Sequence, residues 1–327
     1  MFKSVKNRVW AFDVEWIPDP LAGRLLYKLP VEMPDKEVVE VMWKKGGATE
    51  EDPTPYLKTV LCRIVSVAAI ERHQTGNEVK LHLLSLPRDS HDPAQTEERH
   101  VVGTFLGKAG QYKPQLVGFN SASADLKALI QRGVVLGLSM PEFCKRPNKP
   151  WEGEDYFDSR NSEASVDLKE VVAGWGKATP SLNEIATLSG IPGKMDVDGE
   201  QVASLWLDGH LDKIIAYNEF DALTTYLLWL RIAHFGGHFT TEQYGREQSL
   251  VRDMIGAEIR GNGKDHLQEF LDEWDRLHDC LEQSPFVVRA RMRIVAQGRM
   301  IIRPYKRGPF HHGRPASSAA ADRKGNA

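Results

Sequence analysis

Two carboxylates stand where a buried strand should not carry them. In "RVWAFDVEWIPDP", residues 8–20, Asp13 and Glu15 are spaced by two inside an apolar run. A carboxylate without a partner is costly to bury, so a strand of this kind ordinarily excludes acids. In extended backbone, residues i and i+2 share a face and lie about 6.6–7 Å apart along the chain. Asp13 and Glu15 therefore project together, and Trp10, Phe12 and Val14 project into the opposite layer. Such a pair repels itself unless a cation sits between the two groups. Hard divalent ions, Mg²⁺ or Mn²⁺, are the guests that oxygen ligands select. Two further Asp-x-Glu pairs, Asp35/Glu37 and Asp198/Glu200, lie in polar contexts where solvated acids explain them.

Other spacings add to the first. "GFNSASADL" places Asn120 at a strand end and Asp125 in the first turn of the following helix. "YNEFDALTTY" places Tyr217 and Asp221 at i and i+4, on one helix face. Taken singly, Asp125 reads as an acid favoured by the helix dipole, and Tyr217 as a core tyrosine. No other Tyr-x-x-x-Asp and no other Asn-x-x-x-x-Asp occurs in the chain. Acids drawn from separate segments are what a two-metal phosphoryl-transfer site requires, its ions about 3.5–4 Å apart.

The elements that must position these groups follow from hydrophobic periodicity. Strand-like runs cover 8–15, 60–70, 79–86 and 115–120, the last leading into a helical stretch at 121–132. The segment between the first two runs holds Pro18, Pro20, Pro30, Pro34, Pro53 and Pro55 and reads as a long surface excursion. After residue 165 the pattern turns helical, at 167–174, 181–189, 199–207, 210–234, 241–256 and 264–282. Ser181 and Glu184 have the capping-box spacing. This order describes an α/β domain, one sheet covered by helices, with a helical second half.

Composition sets outer limits. The 327 residues are 41% apolar and 27% charged, with a net charge of −3, as in an ordinary globular chain. No apolar run is long enough to cross a membrane, and "MFKSVKNRVW" lacks the features of a signal peptide. Cys62, Cys144 and Cys280 are far apart, which argues against a zinc site or disulfide framework and for the cytoplasm. Charge is unevenly spread: residues 286–327 hold ten Lys/Arg and one Asp, a net +9, so the remainder carries −12. A basic end on an acidic body points to a polyanion partner. The expected division is a domain at 1–285, a basic strand or hairpin at 286–305 and a disordered tail at 306–327.

On these motifs the chain resembles the 3′–5′ exonucleases of the DEDD superfamily, in the subgroup with tyrosine in the third motif. More narrowly, it is similar to the stand-alone exonucleases related to the proofreading domain of family-B DNA polymerases. "FDVEWIPD", "GFNSASADL" and "YNEFDALTTY" match the three motifs. "YLKTVLCRIVSVAAI", "SVDLKEVV", "PSLNEIATLSGIPGK" and "DVDGEQV" are also similar, so the likeness spans roughly residues 8–275. The other DEDD subgroup carries histidine five positions before the last aspartate, where this chain has Ala216. Two departures stand out: Trp16 follows Glu15 where threonine is usual, and Ala124 precedes Asp125 where phenylalanine is common.

The resemblance implies a ribonuclease H-like fold, a mixed central sheet flanked by helices. It implies that Asp13, Glu15, Asp125 and Asp221 hold two divalent ions, Mg²⁺ or Mn²⁺, with Tyr217 orienting water or the scissile phosphate. It further implies release of nucleoside 5′-monophosphates from single-stranded 3′ ends, DNA favoured over RNA, with Asn120 touching the substrate strand. An RNA-trimming enzyme of the ribonuclease D type and a silent nucleic-acid-binding module are the alternatives. Further substrate-side candidates carry two readings each. Asp167 is a substrate contact or a helix cap; Lys194 and Arg160 are phosphate contacts or solvated loop residues. Arg289, Arg291 and Arg293 neutralise phosphates or form the solvated face of an edge hairpin.

Overall fold

The structure, a computed structural model, describes residues 1–149, 152–158, 162–195 and 199–283. Its strands are β1 (Arg8–Pro18), β2 (Cys62–Thr75), β3 (Glu78–Leu86), β4 (Gln115–Gly118) and β5 (Ser165–Asp167). The helices, in chain order, are α1 (Pro20–Tyr27), α2 (Asp35–Gly46), α3 (Pro93–Thr96), α4 (Glu98–Tyr112), α5 (Asp125–Val135) and α6 (Pro141–Cys144). They continue with α7 (Leu168–Val172), α8 (Leu182–Leu188), α9 (Val202–Leu207), α10 (Leu211–Phe235), α11 (Thr241–Asn262) and α12 (Leu267–Glu282). Met1–Leu281 form one compact unit. The expected basic hairpin and tail, with Arg289, Arg291 and Arg293, lie outside the described residues, as does Arg160.

The five strands form one sheet in the order β3-β2-β1-β4-β5. β1 pairs antiparallel with β2 and parallel with β4, β2 pairs antiparallel with β3, and β4 pairs parallel with β5. An antiparallel three-strand meander extended by two parallel strands is the ribonuclease H-like arrangement, and the expected mixed sheet is present.

Alternation along β1 splits the core into two layers. Trp10, Phe12 and Val14 pack with Phe105 of α4 and Leu126 and Leu129 of α5 on one face. Val9 and Ala11 face the other way, into a core built with Leu223, Leu227 and Trp229 of α10 and residues of α11 and α12. α10 is apolar nearly all round because it is buried nearly all round, lying across β1 and β2 beneath the outer helices. The capping box at Ser181 opens α8 as expected.

The proline-rich segment between β1 and β2 contains two helices, each begun at a proline. Asp19 caps α1 by accepting from the Leu21 amide, with Pro20 at the first helical position, and Pro34 stands at the start of α2. Proline suits that position, since the first turn has no use for its missing N–H. α1 and α2 cross closely at Gly23, where a Cβ would meet Met42 and Val38 side-chain atoms at 2.7 Å. The ends of the excursion are joined by a 2.9 Å hydrogen bond from the Asp19 amide to the Leu61 carbonyl. α4 and the short β5 were not anticipated, although Val101, Val102, Phe105, Leu106 and Ala109 of α4 recur at helical spacing.

Candidate metal centre

β1 brings Asp13 and Glu15 to the face covered by α10, as their spacing requires. Asp221, on that helix, meets them: one carboxylate oxygen of each of the three lies within 4.8 Å of the others. A β-bulge sits beside them, since Glu15 pairs with Ser66 and Trp16 with Ile64, leaving Val65 of β2 unopposed. Such an extra residue re-aims side chains near a site. Here Val65 packs with Tyr217 and Ile214, and Ser66, its neighbour, also reaches α10.

Asp125 arrives from the opposite layer. β4 ends at Gly118, where a Cβ would meet the Ser121 side chain at 2.3 Å, so only glycine lets the chain turn this tightly. Asn120 then adopts a left-handed φ of 67°. The turn is held by Asp167, whose carboxylate accepts from the backbone amides of Asn120 (2.8 Å), Ala122 (3.0 Å) and Lys169 (2.9 Å). Of the two readings of Asp167, the helix cap is the one its geometry has. Its oxygens accept from three backbone amides and anchor the turn. α5 follows, with the buried Asp125 in its first turn accepting from the Val14 amide of β1. Asp125 lines the same cleft as the other three acids, outside their 4.8 Å cluster.

Burial and mutual repulsion govern the charge here. Burial first, then Asp125, Asp221 and Glu15, raise the Asp13 carboxyl well above its usual range. Glu15 is raised likewise, by burial and then by Asp221 and Asp125. Burial pushes Asp125 up to about 7 and Asp221 up to about 6. A hydrogen bond from Tyr217 and the positive charge of Lys194 work in the opposite direction on Asp221. Four acids that resist ionisation together, with oxygen donors converging, fit a divalent cation and no softer guest.

Tyr217 sits with its hydroxyl on Asp221, and burial followed by the Asp221, Glu15 and Asp13 charges pushes that phenol far up. It is therefore a hydrogen-bond donor at neutral pH. Lys194 is brought near the acids, on a turn whose amide is held by the Asn183 side chain at 2.8 Å. Asn120 lines the cleft, its side-chain oxygen 3.3 Å from Lys169 Nζ.

Asn218 was not anticipated. Fully buried on α10, it donates from Nδ2 to Asp13 Oδ2 at 2.7 Å and accepts from Ser66 Oγ at 3.0 Å. It lies beside Tyr217 in a stretch that also holds Glu219 and Asp221, so its sequence position carries no separate signal. Asp35 confirms the bland reading of its pair: it opens α2 and meets Arg24 at 2.7 Å.

The cleft has a volume of about 640 Å³. Besides the four acids it is lined by Phe119, Asn120, Trp16, Trp43, Pro55 and Tyr56, among others. Among the described residues, no helix is long and apolar enough to cross a membrane.

A family described as predicted 3′–5′ exonuclease related to the exonuclease domain of PolB matches residues 54–274. That span includes Asp125, Tyr217 and Asp221 and begins after Asp13 and Glu15. The family B DNA polymerase from the hyperthermophilic archaeon Pyrobaculum calidifontis is similar in structure over 70% of this chain, with 16% identity and a TM-score of 0.43. The matched part is 24% of that polymerase chain. No curated protein matches the sequence.

Proposed function

The chain belongs to the family of predicted 3′–5′ exonucleases related to the exonuclease domain of PolB, and on that premise we propose that it is a two-cation exonuclease of the DEDD type with tyrosine in the third motif. It removes nucleoside 5′-monophosphates one at a time from single-stranded 3′ ends, DNA before RNA. The observation that carries this reading is the convergence of Asp13 and Glu15 from β1 with Asp221 from α10, in a cleft that Asp125 also lines. These four carboxylates would hold Mg²⁺ or Mn²⁺. Bound divalent ions supply Lewis acidity, easing deprotonation of water and offsetting charge that develops on the phosphodiester.

The chain's own groups do the rest. Tyr217, kept protonated, donates a hydrogen bond that orients Asp221 and the water or phosphate beside it. Asn218 fixes the rotamer of Asp13. Asn120 and Lys194, at the rim, contact the substrate strand, and Arg289, Arg291 and Arg293 add phosphate contacts by their charge. The three cysteines are unpaired, which supports a reducing, cytoplasmic setting.

The test is incubation of the full chain with Mn²⁺ and 5′-labelled DNA or RNA, single-stranded or paired. Shortening from the 3′ end with release of 5′-monophosphates, fastest on single-stranded DNA, is expected. Faster loss of RNA would favour the ribonuclease D type of reading, and binding without cleavage would favour the silent module.

A further inference from the structure

A second hollow lies on the α4 side of the sheet, the side away from Asp13 and Glu15. It has a volume of about 320 Å³ and shares no lining residue with the acid cleft. Its lining is mostly apolar: Trp10 of β1, Ala69 of β2, Leu84 and Leu86 of β3, and Phe105 of α4. Trp10 and Phe105 stand with ring centroids 5.7 Å apart. Leu84 and Leu86 are partly buried against the core behind them, so part of their surface is left to solvent. A concave apolar site with a few polar groups at its margin is the usual form of a binding pocket.

Two cations belong to the same lining, Arg88 just after β3 and Lys108 on α4. Neither has a carboxylate partner among the described residues. Lys108 Nζ lies 3.4 Å from the Gln111 side-chain oxygen and 5.5 Å from the centre of the Tyr112 ring. The acid in the lining, Glu71, is already engaged: Trp10 Nε1 donates to it at 3.2 Å, and Arg8 Nε lies 3.4 Å from it. The hollow is thus left with positive charge to match.

β3 is also the edge of the sheet. It pairs with β2, and among the described residues no backbone hydrogen bond reaches its outer side. A nine-residue strand therefore presents a row of N–H and C=O groups without backbone partners.

We propose that β3 and this hollow are a docking site for an extended acidic segment of a partner protein. The segment adds as a strand to the free edge of β3 and inserts one large apolar side chain into the hollow. Its flanking carboxylates meet Arg88 and Lys108. Each feature narrows the occupant. The open edge calls for a polypeptide backbone, which alone can complete the ladder; the apolar lining calls for a side chain; the unmatched cations call for acids beside it. A partner held there occupies none of the residues that line the acid cleft.

The probe is fluorescein-labelled Asp-Asp-Phe-Asp-Asp, titrated with the full chain by anisotropy at low salt in EDTA, so that hydrolysis plays no part. It should bind about 10-fold or more tighter than Asp-Asp-Ala-Asp-Asp, the least that burying a phenylalanine side chain supplies. The double variant Arg88→Glu, Lys108→Glu changes two exposed positions. It should bind the acidic probe about 10-fold or more weakly, because like charges set together oppose docking, and should gain affinity for Lys-Lys-Phe-Lys-Lys. Bound probe should slow amide exchange in β3. Absence of binding, equal affinity for the Phe and Ala peptides, or equal affinity of the wild-type and double-variant chains overturns the site. So does loss of single-stranded oligothymidylate binding, in place of peptide binding, by the double variant: the two cations would then belong to a nucleic-acid path. Binding that leaves exchange in β3 unchanged overturns the strand-adding mode.

Discussion

Asp13 is held by a residue that does no chemistry itself. In the Ser66–Asn218–Asp13 chain the first two residues are fully buried, and each member satisfies the next. Partners that orient a ligand-bearing carboxylate are worth about 10- to 100-fold in cation affinity or activity. Asn218→Ala is therefore expected to weaken Mn²⁺ binding, read by calorimetry, by about that factor, and turnover with it. Unchanged affinity and turnover would remove Asn218 from the site. The acids themselves were legible in the sequence, because a carboxylate in an apolar strand demands a reason. Asn218 was not, since an amide beside Tyr217 on a helix carries no spacing of its own. Asp167 was half legible: an acid at a strand-to-helix junction looks the same whether it caps the helix or meets a ligand. The three amides on its oxygens show the cap.

Elements converge on the site through a second buried set of charges. Arg132 of α5 pairs with Asp19 at 2.8 Å and with Glu98 of α4 at 2.7 Å. Glu98 also accepts from the Ile64 amide of β2 at 2.8 Å. One guanidinium thus ties the helix bearing Asp125 to the root of the excursion and to β2. Removing one partner of a buried pair leaves an uncompensated charge and costs about 3–5 kcal/mol. Arg132→Ala should lower stability by that amount in urea unfolding, and Arg132→Lys should fail to restore it, because lysine lacks the bidentate fork. A loss below about 1 kcal/mol would mean that the set behaves as a surface pair. The main strands and the long helices were legible from their periodicity. The helices of the excursion were not legible in the sequence, although Pro20 and Pro34 open them. β5 is too short, at three residues, for a period to declare itself.

For the molecule as a whole, the acidic cleft makes stability depend on pH and cation together. Asp13 and Glu15 are raised well above their usual range, Asp125 to about 7 and Asp221 to about 6. Unfolded carboxyls titrate near pH 4, so between about pH 4 and 7 the folded chain binds more protons than the unfolded one. Without cation, this contribution is fully present below about pH 4 and is lost as pH rises to about 7. A divalent ion replaces those protons, and its affinity grows as they leave. The rise in Tm with Mn²⁺ should accordingly be small at pH 5 and much larger at pH 8. An equal rise at both values would place cation binding elsewhere.

The central claim is that carboxylates from β1 and α10 act as one centre of hydrolysis. The most direct measurement is mononucleotide release from uniformly labelled single-stranded DNA with Mn²⁺, by the wild-type chain, Asp13→Ala and Asp221→Ala. Each substitution removes a preorganised charge from the reacting phosphate, an effect worth about 10²–10³-fold or more. Both variants should fall at least that far while keeping the wild-type circular dichroism. Undiminished release by both would contradict the account.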